Sequence, residues 1–253
     1  MAIPLGWEGR ATGMLAASLV FGVVGLVHMV RTGYFRWEVR REQVRELVAI
    51  SLPLIPHGVG GVTMLMVDRL ILSQMLGKSA LGVYSVGYAF GSLALLVTDA
   101  FNKVWSPWMY RQLADMTDAR RHKIVRFTYL YKVGVVALAL VVTVAGHVLL
   151  PIMVDERFRR ATPVVFWVAM GFAVRGMYTM FFPYVLHTGK TRYFAYVTLG
   201  AGVVNAGANF LLIPINGIVG SAQATLVSWG VMYLAVWWYA ARLYPMPWRL
   251  GKG

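Results

Sequence analysis

The chain has 253 residues, no cysteine, 58% hydrophobic residues and a mean hydropathy of +0.62. Only 13% of its residues are charged, where a soluble domain carries about 25%, so a water-soluble globular protein is excluded on composition. The net charge of +14 would suggest nucleic acid in a soluble protein, but most of the excess lies in short loops between apolar runs; topology is the simpler cause and no nucleic-acid partner is expected.

Seven apolar runs reach the roughly 20 residues that cross a bilayer as a helix, which predicts an all-α, polytopic transmembrane bundle. The opening MAIPLGWEGRATG lacks the basic stretch of a signal peptide. The first span covers residues 11–30. The basic linker RTGYFRWEVRREQVRE follows and predicts an amphipathic helix lying at the interface. The second span covers 47–72 and contains Pro53 and Pro56; the third covers 81–105 and ends at SPW. After the polar stretch RQLADMTDARRHKIVR come spans at 129–153, 163–186, 194–213 and 218–241, the last two separated by the turn PING. The domain organisation is read as residues 1–46, one helix plus linker, and residues 47–253, a six-helix lobe.

Positive charges orient the bundle. With the first span running outward to inward, residues 31–46, 110–127, 187–193 and the C-terminus hold 15 Lys and Arg, and the opposite segments hold 5. That bias places the N-terminus outside and the C-terminus in the cytoplasm of a plasma (inner) membrane.

The spans carry polar stripes. His57, Gly61, Met64 and Asp68 recur at helical spacing in the second, with Arg69 beside them. Ser85, Tyr88, Ser92, Asp99 and Lys103 do so in the third, next to Asn102. Thr198, Gly202, Asn205 and Asn209 form the stripe of the sixth. A charge in the hydrocarbon core costs roughly 2.5–3.5 kcal/mol on insertion scales, so such groups face a bundle interior or a wet cavity. Interhelical hydrogen bonding is the reading favoured for Asn205 and Asn209, and a lumen for the second and third spans. Arg69, Lys103 and Arg175 are the cations able to meet a phosphate. His57, Asp68 and Asp99 are the groups able to take up a proton or coupling ion.

The pattern LPLIPHG…VDRLIL…LGVYSVGYAFGSL…AFNKVWSPWM resembles the polysaccharide-export flippases of the MOP superfamily, the Wzx or O-antigen-flippase type, which are related to MATE drug exporters and lipid II flippases. GWEGRATGMLAASLVFGVVGL is similar to that family's sixth span, and HTGKTRYFAYVTLGAGVVNAGANFLLIPINGIVGSAQATLVS to its eleventh and twelfth. The resemblance implies a MATE-like lobe. A family member has two six-helix lobes, and this chain corresponds to the last helix of the first lobe and all of the second. A missing N-terminal lobe or a second chain is therefore an expected partner.

The resemblance further implies a lipid-linked oligosaccharide as substrate: a polyprenyl tail left in the lipid bilayer, with pyrophosphate and sugars in a cationic cavity. The function expected is flipping of this molecule for O-antigen or exopolysaccharide biosynthesis, by an incomplete transporter. A MATE-like cation-coupled drug exporter and an inactive fragment or structural subunit are the alternatives. No nucleotide-binding glycine motif, HExxH pattern or clustered carboxylate signature is present, so no enzymatic activity, metal or cofactor is expected.

Overall fold

The structure is a computed structural model that describes residues 7–34 and 40–248. The described residues are helical, with no strand among them: α1 (Trp7–Arg31), α2 (Arg41–Ser51), α3 (Ile55–Gly91), α4 (Leu93–Ala114), α5 (Asp118–Met153), α6 (Thr162–Thr179), α7 (Phe182–His187), α8 (Arg192–Asn216) and α9 (Ile218–Leu243). Six of the helices are long and apolar enough to cross a membrane. The chain divides into two compact units, residues 1–48 and 49–253, with the dividing line inside α2.

In the first unit, α1 is apolar around its circumference and exposes its large side chains, Phe21 at 76%. A helix hydrophobic on every face suits lipid or other helices, not water. The central residues of the basic linker, 35–39, lie outside the described residues.

The second unit is a helical bundle. Its opening differs from the single span expected at 47–72. The helix breaks at Leu52–Leu54, where a tight 3-10 turn intervenes, and the spanning helix begins at Ile55. Pro53 and Pro56 supply no backbone N–H to the helix hydrogen-bond ladder, so the chain restarts there. A similar restart divides the fifth span: α6 ends at Thr179, and α7 begins at Phe182 with Pro183 in its first turn. The third span also differs. It continues past the SPW motif, through Pro107, to Ala114.

Helix α3 runs for 37 residues, about 55 Å if straight. It is not straight. Gly77 has φ 84° and ψ 171°, a conformation that only glycine adopts without strain, and the chain folds back there. The Arg69 guanidinium lies 5.1 Å from the centre of the Tyr88 ring. Nineteen residues of straight helix would separate them by about 28 Å. The two legs of α3 are thus antiparallel and form two crossings, the second continuing past Ser92 into α4. Among the described residues α1, α5, α6 plus α7, α8 and α9 are the other helices of crossing length.

The returning leg packs parallel to α6, with Gly87 against Val164 and Gly91 against Val168. A Cβ on Gly87 would sit 2.7 Å from the Ala161 carbonyl oxygen, and one on Gly91 would sit 2.7 Å from the Val168 side chain. Small residues at such contacts let helices approach closely where lipid provides no hydrophobic drive.

Two apolar clusters make the core. One, around Leu72, Tyr84, Leu150, Val164 and Phe172, lies toward the Gly77 turn. The other, around Trp105, Met109, Ile124, Phe181, Tyr184 and Phe194, lies toward the α4–α5 and α7–α8 loops.

Candidate functional site

The polar stripes of α3 and α8 meet each other. His57 Nδ1 hydrogen-bonds to Thr198 Oγ1, and eleven residues further along both helices Asn209 Nδ2 donates to Asp68 Oδ1 at 2.6 Å. Equal steps on both helices mean that the first leg of α3 runs parallel to α8 and in register with it. The second carboxylate oxygen of Asp68 accepts a 2.6 Å hydrogen bond from Thr225 Oγ1 of α9. Asn209 Nδ2 also approaches the Asn205 carbonyl at 2.9 Å.

Asp68 is therefore inside the unit, 2% exposed, with Asn205, Asn209 and Ser221 buried around it. It does not line an open face. The buried Asn209 Oδ1 has no hydrogen-bond partner among the described residues. Carboxylate, amide and hydroxyl oxygens from three helices converge here, a ligand set suited to a proton or a small hard cation.

The cations gather on a second, more open patch. Arg69 stacks over Tyr88 and forms no ion pair with Asp68 or Asp99. Arg175 Nη1 donates to Asp99 Oδ1 at 2.6 Å, and its guanidinium also lies 5.6 Å from the Trp229 ring centre. Tyr88, under Arg69, packs edge-on against Phe172, three residues before Arg175 on α6. The Arg175–Asp99 pair is accessible, at 26% and 43% side-chain exposure. Gly176, next to Arg175, lets Thr98 of α4 and Tyr131 of α5 close on α6; a Cβ there would lie 2.9 Å from each.

Arg175 lines a cleft of about 310 Å³ together with His57, Gly61, Tyr178, Trp229 and Met232. The cleft joins the second, fifth and seventh spans. His57 stands at its edge, half-buried, packed on the rings of Phe182 and Phe194.

Lys103 stands apart. It is exposed and has no ion pair among the described residues, because Asp99 is taken by Arg175 rather than by the lysine one turn away. Asn102 accepts a hydrogen bond from Ser106 on its own helix at 3.1 Å. Sequence reasoning missed the α9 contribution. Ser221, Thr225 and Ser228 recur at helical spacing, and all three are buried; the same stripe test applied to the seventh span would have found them.

Residues 2–112 match the family described as polysaccharide biosynthesis protein. That stretch holds His57, Asp68, Arg69, Asp99, Asn102 and Lys103, and leaves Arg175, Asn205 and Asn209 outside it. No curated protein and no solved structure matches the chain.

Proposed function

We propose that this chain takes part in flipping a polyprenyl-pyrophosphate-linked saccharide across the plasma membrane for cell-surface polysaccharide biosynthesis. The observation that carries the reading is the match of residues 2–112 to polysaccharide biosynthesis proteins. The chemistry of the second unit supports it. A pyrophosphate needs cations in an otherwise apolar bundle, and the spans supply Arg175 at the cleft and Arg69 over Tyr88. Arginine can fork onto two oxygens at once. Asp99 holds Arg175 in place until a phosphate oxygen replaces the carboxylate. Tyr178 and Trp229, largely buried, form the aromatic wall beside it. Lys103, exposed on α4, is a further phosphate contact. The polyprenyl tail stays in lipid.

Asp68, held by Asn209 and Thr225, takes the coupling proton or cation in this reading, with Asn205 as a further oxygen donor. Uptake of a positive charge there would alter how α3 packs on α8 and α9, the helices that also carry His57 and Trp229. A first-lobe partner, in the same polypeptide or a second chain, would complete the cavity.

The test is export in cells whose own saccharide flippase has been deleted. The chain, supplied together with a first lobe, should restore surface polysaccharide. Arg175→Ala should lower export roughly tenfold or more at equal protein level, since a hydrogen bond to a charged group contributes about 1.5–3 kcal/mol. Arg69→Ala should act in the same direction, and Arg69→Lys should recover part of the loss because the charge remains without the fork. Normal export by both alanine variants would remove the cationic patch from substrate binding. No restored export by the properly inserted wild-type chain would overturn the function itself.

A further inference from the structure

A groove between α4 and α5 lies apart from the cationic patch and the Asp68 cluster. It has a volume of about 310 Å³ and is lined by Phe101, Val104, Trp105, Trp108, Lys123 and Phe127. The α4 members recur at i, i+3, i+4 and i+7, one face of that helix. The antiparallel α5 contributes Phe127 and, one turn nearer the α4–α5 loop, Lys123. The floor is a stack of rings: Phe101 and Trp105 each lie parallel to Phe127, with centres 6.0 and 5.5 Å apart. Trp105 is fixed by a hydrogen bond from its indole N–H to the Met180 carbonyl at 3.1 Å. The floor is thus rigid.

The surroundings say what medium bathes the groove. Val104 is 73% exposed, and Val97, Leu130 and Val133 nearby are more than half exposed, so this face suits hydrocarbon. The mouth is different. Lys123 and Arg126 are exposed and have no ion pair among the described residues, whereas Arg120 and Arg121 are paired with Asp115 and Asp118. The groove therefore has an aromatic, chain-shaped body and an unneutralised cation at the end where the helix pair leaves the apolar band.

From this complementarity we infer that the α4–α5 groove binds an anionic phospholipid of the surrounding bilayer, one acyl chain along Phe101, Trp105 and Phe127 and the phosphate at Lys123. Indole rings are favoured at this depth, where a ring can be half in hydrocarbon and half at the head groups. A basic side chain near an anionic surface contributes on the order of 1 kcal/mol, which is about fivefold in occupancy.

Trp108 is the reporter. The full chain is reconstituted in phosphatidylcholine vesicles, and brominated phosphatidylglycerol or brominated phosphatidylcholine is added at equal mole fraction. The Trp108 signal is taken as the difference between wild type and Trp108→Phe. Half-quenching of that signal should need about fivefold less brominated phosphatidylglycerol than phosphatidylcholine. Lys123→Gln should abolish the preference and Lys123→Arg should keep it. Because Lys123 is exposed, neither variant disturbs the core. Equal quenching by the two lipids in wild type, or an unchanged preference in Lys123→Gln, overturns the assignment. So does protection of Trp108 from both lipids with a Val104→Cys crosslink between two copies, which would make the groove a self-interface.

Discussion

Asp68 is the residue on which the most depends locally. Its two oxygens satisfy Asn209 and Thr225 inside an apolar unit, and the three side chains come from three helices. Asp68→Ala would remove the short acceptor of both donors and leave Asn209 only Asn205, and Thr225 only the Ser221 carbonyl at 3.2 Å. An orphaned buried polar group costs about 1–3 kcal/mol, so the thermal midpoint of the purified chain in detergent should fall clearly. Asp68→Asn keeps one acceptor and the shape, and should fall less. Equal midpoints for the alanine variant and wild type would mean that the carboxylate is not the acceptor for this cluster. Asp99 and Arg175 call for a different experiment, because each is the other's ion-pair partner among the described residues. Asp99→Ala or Arg175→Ala alone strands a charge among apolar helices, whereas the exchange Asp99→Arg with Arg175→Asp preserves the pair. Membrane-inserted protein should drop in either single variant and recover in the exchanged one. Failure of the exchange to recover would place the importance of these residues in their particular neighbours, Trp229 for the guanidinium above all.

The α3 hairpin is the element that assembles the site. Its first leg presents His57 and Asp68 to α8, and its second leg brings Tyr88 under Arg69 and leads into Asp99. Contact of the second leg with α6 depends on absent side chains at Gly87 and Gly91. Gly91→Leu would drive α3 and α6 apart against Val168 and should destabilise the purified chain by about 1–3 kcal/mol, the usual cost of overpacking. Gly134 on α5 has nothing within 4 Å of where its Cβ would be, so Gly134→Ala should be neutral or stabilising by up to about 1 kcal/mol. Thermal unfolding of the two variants side by side separates a packing effect from helix propensity; a neutral Gly91→Leu would mean that the helices do not meet there. The ends of the elements were the least legible feature in the sequence. Apolar runs mark where lipid begins and stop at the first charges, but α4 and α5 continue through their polar ends because Thr117 caps α5, accepting a hydrogen bond from the Arg120 N–H at 3.4 Å.

For the molecule as a whole, orientation is a matter of charge. The α4–α5 loop, the α7–α8 loop and the end of the described chain share one end of the second unit through the cluster around Met109, Phe181 and Phe194, and the Gly77 turn lies toward the other. Packing groups the loops; it carries no information about which end faces the cytoplasm. The excess of 15 basic residues over 5 does. Since the chain has no cysteine, Thr117→Cys and Lys78→Cys each introduce a single thiol. In intact cells an impermeant maleimide should label the second and not the first; the opposite pattern would reverse the assignment. The spans, their approximate number and the ionisable residues among them follow from composition and period alone, because lipid demands about 20 apolar residues per crossing and makes every charge conspicuous. Partnerships do not follow. Arg175 and Asp99 are 76 residues apart, and Asp68 is 157 residues from Thr225. A stripe shows which face of a helix is polar but not which neighbour it meets, and only the packing set by Gly77, Gly87 and Gly91 turns Asp68 inward to α8 and α9 while leaving Arg175 at an open cleft.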